Sequence, residues 1–176
     1  AVGRVFVRIS RLRSRGPTMA EYVGKLTPPL GRFALVAAQF NAFIVDRLLD
    51  GARGGLSTHG VADDDIDIFR VPGALELPLV ADRLAGSGRY VAVICLGTII
   101  KGETDHYDVV VNQSARGIAD AGMRNGIPVL NAVLTTHTLD QAINRAGAKA
   151  GNKGYEVAGA AIEMVNLLTQ LPGKSS

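Results

Sequence analysis

Four short runs of apolar residues occur along the chain, and longer stretches with a helical spacing of apolar positions lie between them. The short runs predict β-strands, because they are rich in β-branched residues and are bounded by turn residues. The first and third runs are almost uniformly apolar, as in strands that are covered on both faces. We therefore predict strands at 33–38, 66–71, 90–96 and 128–134.

The stretches between these runs carry apolar residues three and four positions apart, which is the spacing of one helix face. One such stripe lies within 45–56 and another within 109–122, and two more follow the last strand, at 139–146 and 157–168. Strands that alternate with helices predict βαβ units, a parallel sheet and right-handed crossovers. The pattern thus predicts an α/β fold: a single three-layer α/β/α domain around a four-stranded parallel sheet, without an internal repeat.

Positive charge is concentrated at the amino terminus. The 176-residue chain has 19 basic and 16 acidic residues, a formal net charge of +3, but five arginines lie in residues 1–18, where there is no acid. Residues 19–176 therefore hold 14 basic and 16 acidic residues, a net charge of −2. This division predicts a basic N-terminal extension at 1–18, either transit-like or simply upstream sequence, and one domain at 19–176. Because the domain itself is slightly acidic, we expect no nucleic-acid partner.

The single cysteine, Cys95, lies in the apolar run at 90–96. It therefore resembles a small buried hydrophobe, and it has no partner for a disulfide. A lone unpaired cysteine favours a reducing compartment, so we expect a cytoplasmic location. Apolar stretches all fall short of the roughly 18 residues that a membrane helix requires, so no membrane partner is expected.

Open parallel sheets bind their ligands at the carboxyl ends of the strands. The segments that follow the four predicted strands are 39–41, 72–76, 97–106 and 135–137, and all combine polar, glycine or aromatic residues in ways that a plain turn does not need. We expect the functional site there. The spacing of His, Cys, Asp and Glu matches no metal-site pattern, and the Walker, nucleophile-elbow and dinucleotide-binding patterns are missing.

The segment at 97–106 is the longest of the four. Gly97 and Gly102 allow the backbone to approach a ligand closely, and Thr104 or Asp105 is suited to cap a helix that begins near His106. The free N–H groups of such a first turn form an anion site suited to phosphate. His106 is then either a proton donor and acceptor at the rim of that site or an ordinary first-turn residue.

Three further residues have two interpretations each. Phe40 follows a strand and either stacks on a planar heterocycle or forms a hydrophobic staple for the next helix. Glu76 near a helix start binds hydroxyl groups or complements the helix dipole. Arg145, with Lys149 and Lys153 nearby, either holds a phosphate through two parallel hydrogen bonds or lies on a solvated helix face.

Taken together, these stretches resemble the 6,7-dimethyl-8-ribityllumazine synthase family of riboflavin biosynthesis. The similarity runs in order from about Glu21 to Leu168 with few length changes. Its matching stretches are 40–41 (FN), 71–78 (VPGALELP), 96–108 (LGTIIKGETDHYD), 133–136 (VLTT), 141–147 (QAINRAG), 151–154 (GNKG) and 161–164 (AIEM).

The resemblance implies the flavodoxin-like strand order 2-1-3-4 and a transferase activity. Members of the family join 5-amino-6-(D-ribitylamino)uracil to 3,4-dihydroxy-2-butanone 4-phosphate, releasing phosphate and water, without a metal or redox cofactor. The family suggests two alternatives as well: an archaeal-type riboflavin synthase, and a non-catalytic shell protein that binds flavin or lumazine. The motif set around Phe40, Glu76 and His106 favours the synthase.

The resemblance also implies roles for individual residues. Phe40 would stack on the pyrimidine, Glu76 would hold the ribityl chain, and His106 would donate and accept protons during imine formation, phosphate elimination and ring closure. Arg145 would clamp the phosphate. The remaining substrate-binding residues implied by the family are Asn41, Ala74, Leu75, Thr98, Ile99, Ile100, Glu103, Thr104 and Asn131.

Backbone groups carry several of these roles. Those at 98–100 would read the pyrimidine edge, and the N–H groups of Glu103 and Thr104 would bind the phosphate. Asn131 stands where the family often has an aromatic residue, so hydrogen bonding to the pyrimidine replaces stacking there.

The family implies an oligomer in addition. Its active sites lie between neighbouring subunits of a pentamer, with Asn131 and Arg145 supplied by the partner. Some members assemble twelve pentamers into a 60-subunit hollow shell, and the short turn at 149–154 resembles those members.

Overall fold

The computed structural model describes residues 19–172, so the predicted extension at 1–18 and the last four residues of the predicted domain lie outside the described residues. The strands are β1 Arg32–Ala38, β2 Ile66–Val71, β3 Tyr90–Ile100 and β4 Val129–Thr136. The helices are α1 Ala42–Thr58, α2 Leu77–Ala85, α3 His106–Asn125, α4 Leu139–Arg145 and α5 Lys153–Leu168. Two short 3-10 turns, Asp63–Asp65 and Ala74–Glu76, precede β2 and α2.

The four strands form one parallel sheet in the order β2-β1-β3-β4, which confirms the predicted α/β fold and the flavodoxin-like order. β3 is longer than predicted, because it continues beyond Leu96 to Ile100. β4 pairs with it as far as Ile100 opposite Thr136. The predictions that 97–100 and 135–136 follow their strands are therefore wrong: pairing between β3 and β4 holds both segments extended, although Gly97 and Thr98 interrupt the apolar run.

Two apolar layers bury the sheet. Phe33, Leu35 and Ile94 pack on the side of α1, α4 and α5, and Val36 and Cys95 pack on the side of α2 and α3. These alternating positions of β1 and β3 are fully buried, as the uniformly apolar runs predict. Burial raises the pKa of the Cys95 thiol to about 12, so this residue behaves as the small hydrophobe that the sequence predicts.

Close contact between α1 and α5 depends on glycine. A Cβ at Gly154 would overlap the carbonyl oxygen of Leu48, so only glycine allows the two backbones to approach at that point. Near its start, at Gly154, α5 therefore lies directly against α1. None of the helices between residues 19 and 172 is both long enough and apolar enough to cross a membrane.

Candidate active site

A cavity of about 390 Å³ opens at the carboxyl edge of the sheet, where the sequence predicts the site. Nine of the thirteen residues that the sequence and the family resemblance nominate line it: Phe40, Ala74, Leu75, Glu76, Thr98, Ile99, Ile100, Thr104 and His106. Asn41 and Glu103 adjoin lining residues along the chain but do not line the cavity, and Asn131 and Arg145 lie outside it. Three connections and the start of α3 thus meet around one space.

The connection between β1 and α1 holds Phe40 at the cavity. Its backbone N–H donates to the carbonyl of Pro72 at 3.0 Å, which ties it to the residue after β2. Asn41 then adopts a left-handed conformation, with φ at 58°, and starts α1 by accepting hydrogen bonds from Ile44 and Val45. The Phe40 side chain is 71% exposed. A hydrophobic staple would bury this ring against Val45, so the geometry favours the stacking interpretation.

The connection between β2 and α2 supplies one wall. Ala74–Glu76 form a single 3-10 turn, in which the N–H of Glu76 donates to the carbonyl of Gly73 at 3.3 Å. Glu76 is exposed at the cavity, and its carboxylate has no ion-pair or hydrogen-bond partner among residues 19–172. The carboxylate is therefore available to a ligand rather than used within the fold.

The end of β3 forms the floor. β1 pairs with β3 only as far as Leu96, whereas β3 continues to Ile100, so beyond Leu96 the β3 backbone has a strand partner on the β4 side alone. Alternate residues of a parallel strand direct their backbone groups to opposite neighbours. The edge of β3 that faces away from β4 consequently offers backbone donors and acceptors at the cavity.

Thr98 carries an unusual buried hydroxyl. The residue is only 4% exposed, and its Oγ1 is the one buried side-chain nitrogen or oxygen without a hydrogen-bond partner in the described part of the chain. Buried polar atoms in folded proteins nearly always have a partner, and each exception calls for an explanation. Less than 1 Å² of this oxygen is exposed, so it lies beneath the surface of the cavity, and Thr98 lines the cavity through its other atoms.

α3 begins at His106, as the sequence predicts, but the predicted side-chain cap is absent. Asp105 occupies the N-cap position with a helical backbone, and its carboxylate makes no capping hydrogen bond. The backbone instead turns tightly into the helix, with the N–H of Asp108 donating to the carbonyl of Asp105 at 3.1 Å. His106 is exposed on the first turn, where its imidazole borders the cavity.

Arg145 ends α4 and is held by a carboxylate that the sequence pattern did not single out. Its Nη1 and Nη2 donate to Oε1 and Oε2 of Glu156 at 3.0 and 2.8 Å, and Nη1 also donates to the carbonyl of Ala150. The hydrogen-bonded pair raises the pKa of Arg145 and lowers the pKa of Glu156. Glu156 is eleven residues away across a turn, so no helical spacing connects the two in the sequence.

Asn131 lies exposed on the edge strand β4. Its Oδ1 accepts a hydrogen bond at 2.9 Å from the backbone N–H of Val133, which leaves the amide NH₂ group to face outward. Like Arg145, it is therefore a polar group presented at the surface of this chain rather than within its own cavity.

Tyr107 and Val110 are among the cavity residues that were not assigned a role from the sequence. They are three positions apart on the first turns of α3, so a helix that begins at His106 places them on one face. Helical spacing is the signal that could have found Val110, which lies four positions after His106 and three after Tyr107. In residues 19–172, no group of three or more His, Cys, Asp or Glu side chains is arranged to hold a metal ion.

A largely apolar cavity with a free carboxylate and an imidazole at its rim, at the carboxyl end of a parallel sheet, defines an α/β enzyme that acts on a small molecule. The family model described as 6,7-dimethyl-8-ribityllumazine synthase matches residues 31–169. The chain is 55% identical over 148 residues to 6,7-dimethyl-8-ribityllumazine synthase from Desulfotalea psychrophila. This alignment covers 84% of this chain and 96% of the relative. It is 52% identical over 154 residues to the protein of the same name from Desulfatibacillum aliphaticivorans, covering 88% and 98%. The chain belongs to the 6,7-dimethyl-8-ribityllumazine synthase family.

Proposed function

We propose that the chain catalyses the condensation of 5-amino-6-(D-ribitylamino)uracil with 3,4-dihydroxy-2-butanone 4-phosphate, the penultimate step of riboflavin biosynthesis. The products are 6,7-dimethyl-8-ribityllumazine, phosphate and water. One observation carries the assignment to this site: Phe40 and Glu76 from two different connections and His106 from the start of α3 surround a single cavity.

The pyrimidine is bound between an aromatic face and a backbone edge. The exposed ring of Phe40 offers a face for stacking, which favours planar heterocycles. The unpaired edge of β3 at Thr98, Ile99 and Ile100 offers donors and acceptors to the pyrimidine carbonyl and N–H groups. The free carboxylate of Glu76, together with the backbone at Ala74 and Leu75, accepts hydrogen bonds from the ribityl hydroxyls.

The phosphate of the second substrate is bound at the start of α3 and by Arg145. The first turn of α3 has no side-chain cap, so its N–H groups remain available to an anion, and the backbone at Glu103 and Thr104 adds to them. Arg145 has five N–H donors, and Glu156 and Ala150 use three of them. The remaining Nε–H and one Nη2–H lie along one edge of the guanidinium, which suits two parallel bonds to phosphate.

His106 moves protons between the reacting groups. The amine of the pyrimidine attacks the carbonyl of the butanone phosphate, and loss of water leaves an imine. Phosphate then leaves by elimination, which gives an enol at the neighbouring hydroxyl-bearing carbon, and this enol tautomerises to a ketone. Attack of the ribitylamino nitrogen on the new carbonyl closes the ring with loss of a second water. Each step needs proton transfer near neutral pH, for which an imidazole is suited. Holding two substrates in register supplies up to roughly 7–11 kcal/mol of the barrier reduction.

The site is completed by a neighbouring copy of the chain. We propose a pentamer in which Asn131 and Arg145 of one subunit reach the cavity of the next, since both lie outside the cavity of their own chain. Large apolar side chains that are more than half exposed, such as Phe43, Leu79 and Met123, support extensive association. The short turn at 149–154 favours further assembly into a 60-subunit shell of pentamers, and the particle mass in solution separates pentamer from shell.

Co-expression of His106→Ala and Arg145→Ala subunits tests the shared site. In a randomly mixed ring, a site recovers both residues when an Arg145→Ala subunit supplies the cavity and a His106→Ala subunit supplies the arginine, so about a quarter of the sites regain activity. At a butanone phosphate concentration below the wild-type KM, mixed particles should therefore turn over faster than either parent variant. Activity equal to the parents would place both residues of a site in one subunit.

We further propose that residues 1–18 form an extension outside the catalytic domain, and that the enzyme is cytoplasmic. The unpaired, buried Cys95 is suited to a reducing compartment. Deletion of 1–18 should leave kcat and both KM values unchanged. A loss of activity on deletion would show that the extension belongs to the catalytic unit, and fractionation of producing cells tests the location.

Incubation with 6,7-dimethyl-8-ribityllumazine alone tests the alternative that the chain is a riboflavin synthase. We expect no riboflavin, because the proposed enzyme forms lumazine and does not transfer carbon between two lumazines. Riboflavin formed from lumazine alone would assign the chain to the riboflavin synthases. Tight binding of the pyrimidine without turnover of the substrate pair would instead indicate a non-catalytic binding shell.

A further inference from the structure

One wall of the cavity touches a histidine outside it. Tyr107, the second residue of α3, lines the cavity and is half-buried against the core on the α2 and α3 side. The ring of His137 stands edge to face with the Tyr107 ring, with centroids 6.3 Å apart and ring planes 86° apart. This is a favourable geometry for two aromatic rings. His137 does not line the cavity itself.

His137 projects from a well-fixed backbone. It lies in the connection between β4 and α4, where the carbonyl of the preceding residue, Thr136, accepts a hydrogen bond at 2.9 Å from the N–H of Lys101 after β3. The N–H of His137 donates to Oε1 of Gln141 at 2.9 Å, and Thr138 forms a capping box with Gln141. The imidazole therefore extends from a braced connection to the first turn of α3, although its side chain is exposed.

We propose that His137 is a positioning residue of the active site, which holds the Tyr107 ring in place and so sets the shape of the cavity for the pyrimidine substrate. It acts through Tyr107 and touches no substrate. This inference rests on the proposed function for the identity of the substrate, but the contact between the two rings does not depend on it. The expected effect is the small one typical of a single aromatic pair, roughly two- to tenfold in affinity.

Alanine at position 137 tests the proposal. His137→Ala should raise the KM for the ribitylaminouracil roughly two- to tenfold, with kcat and the KM for the butanone phosphate unchanged. Because His137 is exposed, the Tm should change little. His137→Phe should restore the wild-type KM, since it keeps a ring edge at Tyr107. Equal KM values for the Ala and Phe variants, or an unchanged KM in His137→Ala, would overturn the proposal.

A double-mutant cycle with Tyr107 shows whether the effect passes through that ring. In a Tyr107→Leu background, His137→Ala should have no further effect on the KM, whereas full additivity of the two changes would contradict the proposal. Tyr107→Phe keeps the ring and is the matched control. If wild-type protein binds the ribitylaminouracil but does not turn over the substrate pair, the proposed function is refuted. Kd values measured by calorimetry then replace the KM values in the same comparison of variants, so the proposal for His137 is still tested. Absence of binding by wild-type protein would overturn both.

Discussion

Arg145 and Glu156 form a two-bond ion pair across the turn between α4 and α5, with Nη1–Oε1 and Nη2–Oε2 distances of 3.0 and 2.8 Å. The pair is partly exposed, so it contributes little to stability by itself. The pair does, however, fix the orientation of the guanidinium. The edge that carries Nε–H and one Nη2–H remains without a partner among the residues that the structure describes. A cation fixed in this way is prepared for an anion, which is the role that the proposed reaction gives to Arg145.

Arg145→Ala should raise the KM for the butanone phosphate by about ten- to a hundredfold, because hydrogen bonds to charged groups contribute roughly 1.5–3 kcal/mol. The KM for the pyrimidine should stay close to the wild-type value. Arg145→Lys keeps the charge but loses the planar fork, so it should fall between wild type and alanine. Steady-state kinetics with each substrate varied in turn provides the check, and an unchanged phosphate KM would refute the clamp.

His106→Ala should lower kcat on the order of a hundredfold while both substrates still bind. The remaining rate reflects the positioning of two substrates, which this change does not remove. A kcat within about twofold of wild type would show that His106 is an ordinary first-turn residue, the other interpretation left open by the sequence.

Phe40→Ala should weaken binding of the ribitylaminouracil by about fivefold to a hundredfold, the range for loss of one aromatic stack on a base. Because the ring is 71% exposed, its removal leaves no core cavity, and the Tm should change little. Phe40→Tyr retains the stacking face and should bind like wild type. Equilibrium binding measured by fluorescence or calorimetry tests this, and intact affinity in the alanine variant would exclude stacking.

Thr98→Val should raise stability and leave substrate binding unchanged. It replaces an unsatisfied buried hydroxyl with a methyl group of similar size, and leaving such a group unpaired costs about 1–3 kcal/mol. We therefore expect a higher Tm, with the KM for the pyrimidine close to the wild-type value because less than 1 Å² of the hydroxyl oxygen is exposed. Thr98→Ser keeps the hydroxyl and is the matched control. A lower Tm with unchanged KM would mean that the hydroxyl has a partner in the folded protein.

Acid stability should depend on Asp67, at the amino-terminal edge of the sheet. Hydrogen bonds from Arg32 and then from Tyr90 lower the pKa of Asp67, although burial opposes them. Since its folded pKa lies below the unfolded value, its contribution is present above the unfolded pKa and is lost as pH falls through the folded pKa. Asp67→Asn should thus lower the Tm at neutral pH and flatten its fall in acid. Asp50→Asn is an exposed control, and identical pH profiles for the Asp67 variant and wild type would contradict the account.

The sequence predicts those parts of the fold that are determined by neighbouring residues, and it misses those that depend on contacts between distant segments. The uniformly apolar runs predicted the sheet because strands covered on both faces need no polar alternation. The end of β3 was missed because Gly97 and Thr98 break the apolar run, while pairing with β4, a tertiary interaction, keeps them in the strand. The cap expected at Asp105 failed for a similar reason, since the backbone enters α3 already turned.

The residues of the site also fall into those that the sequence could place and those that it could not. Residues on connections after the strands, such as Phe40 and Glu76, could be placed together because topology brings all carboxyl ends to one edge. The partnership of Arg145 with Glu156 could not, because a turn between two helices decides which side chains meet. The contact of His137 with Tyr107 likewise joins the connection after β4 to the start of α3, which lie far apart in the sequence.

Turnover of the two proposed substrates by the wild-type protein tests the central claim most directly. Lumazine measured by its absorbance and phosphate released in the same reaction should appear together in equal amounts, and only when both the pyrimidine and the butanone phosphate are present. His106→Ala should slow both products equally. Absence of lumazine, or phosphate released without it, would contradict the account.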